Sequence, residues 1–531
     1  MFNYTSDGTK NCVVTRIFEE TTTKEITAEY NLPDYLPDVT RILCTDAKLC
    51  RAGKYINGSV LEFDGEIYFS VIYSTADGVI KCAKFSSEYD GSISVGEYSG
   101  DCDINAESVI ESVGCRLQNP RKLTARAKVK VSVDAVCAKC TSPAVTGKLT
   151  PDEEQNVQSR TDVLDVCFRV SATDADVKLE ENIEIPKNLP QADEIICVLL
   201  EPCLTDIRAS DGNISYKGNI LAKILYSALQ ETPSSQPEYR CFTKKLPFSG
   251  DLSAAGINER CYCTGNCCVT SSESLLSPDA DGEMRTIELD AVYSVYLDAF
   301  CNASSEVTTD MYSTDYESST EEENVTYETA LTSRTFNCTQ SVCAEINDDD
   351  ATEVVCCRAT ADITNAAKSN GKLVFEGNLT VSAVLYDGNE LYSGKTFTSP
   401  FRAECDAGFV PDGFDYTANA AVMDSTCRID RGNVCADVEI GINYVIFAKS
   451  TASVTSKLSV EKDKPRNVSS VSSITLYYPS KTDTMWDIAK KYGTTRAEIA
   501  ALNGINGEIP SGDVMIIPKR KAKKPIYTKI I

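Results

Sequence analysis

The chain has 531 residues, 42% of them hydrophobic, and a net charge of −26, which suits about three to four globular domains of ordinary composition. The acidic balance repels phosphate backbones and anionic lipid, arguing against nucleic acid as a partner, and no stretch approaches the ~18 apolar residues of a membrane span. Histidine is absent, which removes Ser-His-Asp and Cys-His nucleophile pairs, histidine general bases and His-ligated zinc centres together.

The opening stretch, MFNYTSDGTKNCVVTRIFEE, has neither a basic n-region nor an apolar h-region. No secretory signal is expected, so the protein is expected in the cytoplasm with its 24 cysteines mostly reduced. A proline-bounded run, Asn31-Leu32-Pro33-Asp34-Tyr35-Leu36-Pro37-Asp38, leads into Arg41-Ile42-Leu43.

A unit then recurs about every 155 residues. It reads aromatic, any residue, glycine, a β-rich run and tyrosine: Phe63 and Gly65 to Tyr73, Tyr216 and Gly218 to Tyr226, Phe375 and Gly377 to Tyr386. The third copy holds one extra residue, which predicts a bulge in that strand. Cys44, Cys197 and Cys356 each precede the repeat glycine by 21 residues inside an apolar triplet, as small core side chains do. Downstream stand Glu88-Tyr89, Pro247-Phe248 and Pro400-Phe401. Each copy closes on a segment of period two, Leu123 to Cys137, Ile287 to Cys301 and Val434 to Phe447, with Arg121, Arg285 and Arg431 just before. That alternation predicts antiparallel sheets with one wet face. The domains are therefore placed at 20–138, 165–312 and 335–460. Lys139 to Arg160, the acidic run Ser313 to Asn324 and the serine-rich Glu461 to Ser473 read as solvated connectors. Cys137-x-x-Cys140 and the group Cys261, Cys263, Cys267 and Cys268 lack the doubled spacing of a zinc ribbon, so neither metal nor cofactor is expected.

The last folded stretch, 472–518, has its own pattern. Ile474, Leu476 and Tyr478 alternate with Thr475 and Tyr477 as a half-buried strand. Thr484 with Asp487, and Thr495 with Glu498, predict two capped helices, the first stopped at Gly493 and the second at Asn503-Gly504. Trp486, the only tryptophan, is expected in a small core with Ile488, Tyr492, Ile499 and Leu502. Val514 to Ile517 form a closing strand before Pro518. The tail 519–531 carries six basic residues and no acid, and reads as a solubilising arm or a dock for an acidic surface.

Asp483-Thr484-Met485-Trp486, Ile488-Ala489, Tyr492-Gly493, Leu502-Asn503-Gly504 and Ile517-Pro518 resemble the LysM domain, except that Thr482 stands where that family usually has glycine. The resemblance implies a βααβ fold and an N-acetylglucosamine-polymer groove. By position that groove is lined by Thr482, Asp483, Thr484 and Met485 on one side and by Gly507, Glu508, Ile509 and Pro510 on the other. The three glycine-to-tyrosine strands, the Asn31 to Asp38 run and the terminal LysM together resemble the SipL-type spore-coat morphogenesis proteins of spore-forming clostridia, built from SPOCS domains. The fold class expected is mainly β, with three tandem antiparallel β-rich domains followed by a small βααβ domain. The structural positions are Gly65, Gly218, Gly377, Trp486, Ile488, Tyr492, Leu502 and Asn503. What the resemblance implies is a non-catalytic scaffold in the mother-cell cytoplasm, at the forespore surface and spore coat. There the LysM domain would bind the coat ATPase, the stage IV protein A, beside other coat proteins. The alternative reading is a peptidoglycan-binding protein. No motif supports a carboxylate-pair glycosidase, so no enzyme is expected.

Overall fold

The structure is a computed structural model and describes residues 12–49, 52–95, 102–230, 237–346, 351–388, 391–466, 474–505 and 514–518. Strand dominates, and the pairing is antiparallel apart from one short parallel contact. In chain order the first unit comprises β1 (Cys12–Asn31), β2 (Arg41–Leu49), β3 (Gly53–Asn57), β4 (Val60–Ser74), β5 (Ile80–Ser94), β6 (Cys102–Asn119) and β7 (Lys122–Cys140). A connector holds β8 (Ala144–Thr146) and α1 (Pro151–Glu154). The second unit comprises β9 (Val157–Glu184), β10 (Ala192–Ser210), β11 (Asn213–Ala228), β12 (Tyr239–Ser253), β13 (Tyr262–Pro278) and β14 (Met284–Ser313). The third comprises β15 (Tyr316–Glu345), β16 (Glu353–Ser369), β17 (Lys372–Tyr386), β18 (Tyr392–Asp406), β19 (Asp415–Asp430) and β20 (Asn433–Pro465). The final module is β21 (Ile474–Tyr477), α2 (Met485–Tyr492), α3 (Arg496–Asn503) and β22 (Met515–Pro518).

Each unit is a pair of sheets with the same wiring. The outer sheets are β1-β7-β6, β9-β14-β13 and β15-β20-β19, and the inner ones β2-β4-β5, β10-β11-β12 and β16-β17-β18. Alternate residues of both sheets meet in a shared core, as where Phe63, Ile67 and Phe69 of β4 pack on Val129, Val131 and Val133 of β7.

Local chemistry explains the repeat. Gly65, Gly218 and Gly377 stand directly opposite Tyr89, Phe248 and Phe401 on the next strand. A Cβ at any of the three would overlap that aromatic ring, so the glycine leaves the space in which the ring lies across the strand. Bulges fall at the repeat cysteines, between Ile42 and Cys44, Ile195 and Cys197, and Val354 and Cys356. An extra residue on that strand sharpens its bend and re-aims the cysteine.

The bulge expected in the third glycine strand is not there. β17 runs in unbroken register with β18 from Lys372 to Tyr386, which puts Leu385, not Tyr386, at the position of Tyr73 and Tyr226. The consequence is chemical. Tyr73 donates its hydroxyl to the Pro37 carbonyl (3.2 Å) and Tyr226 to that of Pro190 (3.0 Å). Arg121 donates to the Leu32, Pro33 and Leu36 carbonyls, and Arg285 to those of Pro186 and Leu189. Arg431, by contrast, occupies a left-handed turn position (φ 51°) and is exposed.

Two connectors are also corrected. Ser313 to Asn324 mostly belongs to β15, whose acids find partners across the ladder: Lys457 bonds Glu321 (2.6 Å) and Ser453 bonds Glu322 (2.7 Å). Backbone pairing does not ask for apolar side chains on a wet face, so an acidic run folds as strand there. Within Lys139 to Arg160, β8 adds to β20, and Glu153 accepts from Lys462 and Tyr316 (both 2.7 Å). The third connector belongs to β20 as far as Pro465, while residues 467–473 lie outside the described residues. Strands β1 and β15 begin before the placed domain starts, at Cys12 and Tyr316.

The units close head to tail into a ring. β5 of the first meets β10 of the second, β12 of the second meets β16 of the third, and β18 of the third meets β2 of the first. One apolar cluster on this axis draws Leu43, Cys44, Ile196, Cys197, Val355 and Cys356 from all three. Beside it Arg358 of β16 pairs with Asp46 of β2 and with Glu201 of β10 (2.8 Å), a buried ion triad with one member from each unit. Burial pushes the Glu201 carboxyl up to about 7, although Lys223 and Lys48 oppose it. Away from the axis Arg169 of the second unit reaches Asp103 and Asp134 of the first (2.6 and 3.1 Å). Arg16 of the first reaches Glu328 and Asp415 of the third (3.2 and 3.5 Å).

Most described cysteines are free thiols, as expected, but three disulfides are present among them. Disulfides join Cys102 to Cys137, Cys261 to Cys301 and Cys343 to Cys435. Two lie between paired strands and the third joins the residue before β13 to β14, all with Cα atoms 4.1–4.4 Å apart, a proximity that strand register creates.

Candidate functional site: a clamped C-terminal module

The C-terminal module folds around its caps. Thr484 Oγ1 accepts from the Asp487 N–H (3.1 Å) at the start of α2, and Thr495 with Glu498 forms the full capping box of α3. Gly493 and Gly504 end the helices in the left-handed region. Asn503 brackets Ile516 of β22, donating to its carbonyl (2.7 Å) and accepting from its N–H (2.6 Å), which ties α3 to the closing strand.

Trp486 is buried at 4% exposure, but the pocket it fills is only half made by its own module. Its ring meets Tyr312 of β14 edge-on (centroids 5.0 Å), and its indole N–H donates to Asp310 (2.7 Å). Lys490 bonds both oxygens of the same carboxylate (2.7 and 2.8 Å). Burial raises the Asp310 pKa, but the bonds from Lys490 and Trp486 outweigh it and leave that carboxyl below its ordinary value. Tyr312 donates to the Thr494 carbonyl (2.8 Å), and Arg466 to that of Lys490 (2.6 Å). Arg496 and Arg160 lie over the indole at 5.4 and 5.8 Å. The module is thus clamped onto the second unit's longest strand. Asp310, Tyr312 and Arg160 carried no sequence signal, since nothing in an alternating strand marks the residue on which a distant tryptophan rests.

Of the groove residues, Asp483 accepts from Tyr477 (2.7 Å) and the Ser480 N–H (2.8 Å), closing the loop before α2. Those bonds hold its carboxyl below the ordinary range. Thr484 is the helix cap, and Met485 is half-buried against the small core. Thr482 is exposed and contacts Ser480 Oγ (3.0 Å). Gly507, Glu508, Ile509, Pro510 and the tail 519–531 lie outside the described residues.

Ile488 is buried and Tyr492 half-buried, whereas Leu502, expected in the core, is 47% exposed: Ile499 fills α3's inward position alone. The strand is reversed too. Thr475 and Tyr477 face inward, while Ile474, Leu476 and Tyr478 are 51%, 61% and 69% exposed. A strand's alternation defines two faces without saying which is buried, and the Tyr477 bond to Asp483 selects the inner one. An apolar stripe therefore lies outside.

A second candidate is a cavity of about 660 Å³ between the outer sheets, lined by Arg16, Arg169, Asp134, Glu328 and Asp415. Its arginines are engaged by carboxylates of neighbouring units, which makes it a seam of the ring.

Comparison with known proteins agrees with this division. Residues 191–274 match the family described as "SipL, SPOCS domain", and residues 480–518 match the LysM domain. The first match spans β10 to β12 and most of β13; the second takes in α2, α3 and β22. No curated protein and no solved structure matches the chain. Both matched families are non-catalytic binding domains, and together they mark a sporulation-related protein with a domain of the glycan-binding type. No helix among the described residues is long and apolar enough to cross a membrane.

Proposed function

From a chain that carries a SPOCS domain of the SipL type and a LysM domain, we propose a non-catalytic scaffold of spore-coat assembly. It works in the mother-cell cytoplasm at the forespore surface, where its LysM domain binds the coat ATPase, the stage IV protein A. The observation that carries this reading is the presentation of the module. Trp486 and Lys490 are spent on the clamp to Asp310, while Leu476 and Tyr478 on one face of the strand are exposed, as are Leu502 and Val514. An apolar stripe of this kind suits a folded protein partner better than a sugar polymer. The groove wall supports the same choice. Asp483 and Thr484 are consumed in holding the loop and capping the helix, and Thr482 adds a side chain where LysM domains usually have glycine. The first and third units are read as two further SPOCS domains, because they repeat the strand wiring, the bulged cysteine and the glycine-aromatic pair of the matched unit.

The test is a binding comparison of the full chain against purified coat ATPase and against peptidoglycan sacculi, at low and high salt to discount the basic tail. The expected result is salt-resistant binding to the ATPase that Leu476→Asp weakens at least tenfold. Retention on sacculi alone would transfer the protein to the peptidoglycan-binding reading.

A further inference from the structure

The ring's axis carries two thiol pairs with one geometry. Cys82 of β5 in the first unit lies 3.6 Å, sulfur to sulfur, from Cys197 of β10 in the second. Cys241 of β12 in the second unit lies 3.4 Å from Cys356 of β16 in the third. Both pairs span 115 residues of sequence, and each joins the last inner strand of one unit to the bulged cysteine of the next. The register fixes this equivalence, since Cys82 stands opposite Ile72 and Cys241 opposite Leu225 at matching rungs. The rung of the third unit is Gly394, opposite Val384. It abuts the Leu43 backbone of the first unit so closely that a Cβ there would overlap the Leu43 carbonyl. The third junction closes by backbone approach and leaves Cys44 without a matching thiol.

We propose that Cys82 with Cys197, and Cys241 with Cys356, form a matched set of inter-unit redox staples that a small-molecule disulfide converts into two disulfide bonds, locking the first unit to the second and the second to the third. The geometry favours pairing over metal capture, because no group of three or more potential ligands occurs among the described residues. In each pair one thiol is half-buried, Cys82 or Cys241, and its partner is buried, so a reagent has one sulfur to reach first. The hydrogen bond from Cys82 lowers the pKa of the Cys197 thiol, with Lys84 and Lys48 adding to the effect, and raises that of Cys82 itself, so within the first pair the charged form is favoured at Cys197 over Cys82.

The chemistry balances as thiol–disulfide exchange. A protein thiolate attacks the small disulfide, forming a mixed disulfide and expelling one small thiolate. The second protein thiol gives up its proton, attacks the mixed disulfide and expels the other. Per staple one S–S bond breaks and one forms, two electrons pass to the small disulfide, and two small thiols leave with the two protons. Each new bond closes a long loop, so it restricts the unfolded chain strongly.

The experiment exposes the folded full chain to 2-hydroxyethyl disulfide, alkylates the remaining thiols, and maps linked tryptic peptides by mass spectrometry with fragmentation. Two new links are expected, 82 to 197 and 241 to 356, together with a higher thermal midpoint that reductant reverses. Cys82→Ser and Cys241→Ser should each abolish one link and keep about half of that rise. Mixed disulfides that never resolve onto Cys197 and Cys356, links only among other cysteines such as Cys357 and Cys427, or four thiols that remain alkylated would each overturn the proposal.

Discussion

The β ring and the LysM domain solve the same problem at different scales. The ring buries one member of an ion triad and one bulged cysteine from each of three units, so no unit's inner face is complete alone. The LysM domain builds its own core from Ile488, Ile499 and Ile517 and borrows Tyr312, Asp310, Arg160 and Arg466 from the ring. Stability in the ring is therefore a shared property, whereas the module should depend on its mount for orientation more than for folding. Small modules with short helices have little core to spare, which makes the single tryptophan both its largest contributor and its attachment point.

The comparison breaks most visibly at Arg358. Arg358→Ala leaves the buried Asp46 and Glu201 without their cation, and should cost about 3–5 kcal/mol in urea unfolding followed by circular dichroism. The loss should fall on the strand signal of all three units together. Next is Glu201, whose carboxyl titrates near 7 in the folded chain against an ordinary value of 4.5. A raised acid pKa stabilises fully below about pH 4.5 and loses that contribution as pH rises through about 7. The stability of the wild type relative to Glu201→Gln should therefore fall by about 3 kcal/mol across that window; a flat difference would show that the triad stays fully ionised.

Gly377→Ala tests the ring's local grammar, since the added methyl meets the Phe401 ring and the Asp362 carbonyl; about 1–3 kcal/mol of destabilisation is expected by thermal melt. Asp310→Ala strips the acceptor from Trp486 and Lys490 and should cost about 1–2 kcal/mol. Because Trp486 is the only tryptophan, its emission should shift to the red and acrylamide should quench it more strongly, with ring unfolding little changed. Leu476→Ser removes only an exposed side chain and should move stability by less than about 0.5 kcal/mol. A larger loss would mean that the stripe is covered within the chain.

Much of the local structure was legible. The glycine and the later aromatic of each repeat, such as Gly218 and Phe248, are cross-strand partners, and the capping box of α3 forms in full, while at α2 Thr484 caps the helix but Asp487 accepts from the Thr484 hydroxyl instead of closing the box. Periodicity misled where it left two faces equivalent, at Ile474, Leu476 and Tyr478, and where charge stood in for disorder, in the acidic start of β15. Counting to the repeat tyrosine misled in the third copy because register, not residue type, decides equivalence; Leu385 lacks the hydroxyl that Tyr73 and Tyr226 donate.

By itself the sequence determined the β character of the repeats, the two helices of the LysM domain, the threefold repetition of the inner strand, and the acidity that argues against nucleic acid, because these depend on neighbours within a few residues or on sums over the chain. Only the tertiary structure decided that the units close into a ring, that Asp46, Glu201 and Arg358 share one buried site, that Cys82 faces Cys197 as Cys241 faces Cys356, and that Trp486 rests on Asp310. Those contacts join residues more than 100 positions apart, and their partners are chosen by strand register and sheet packing, which no local pattern encodes.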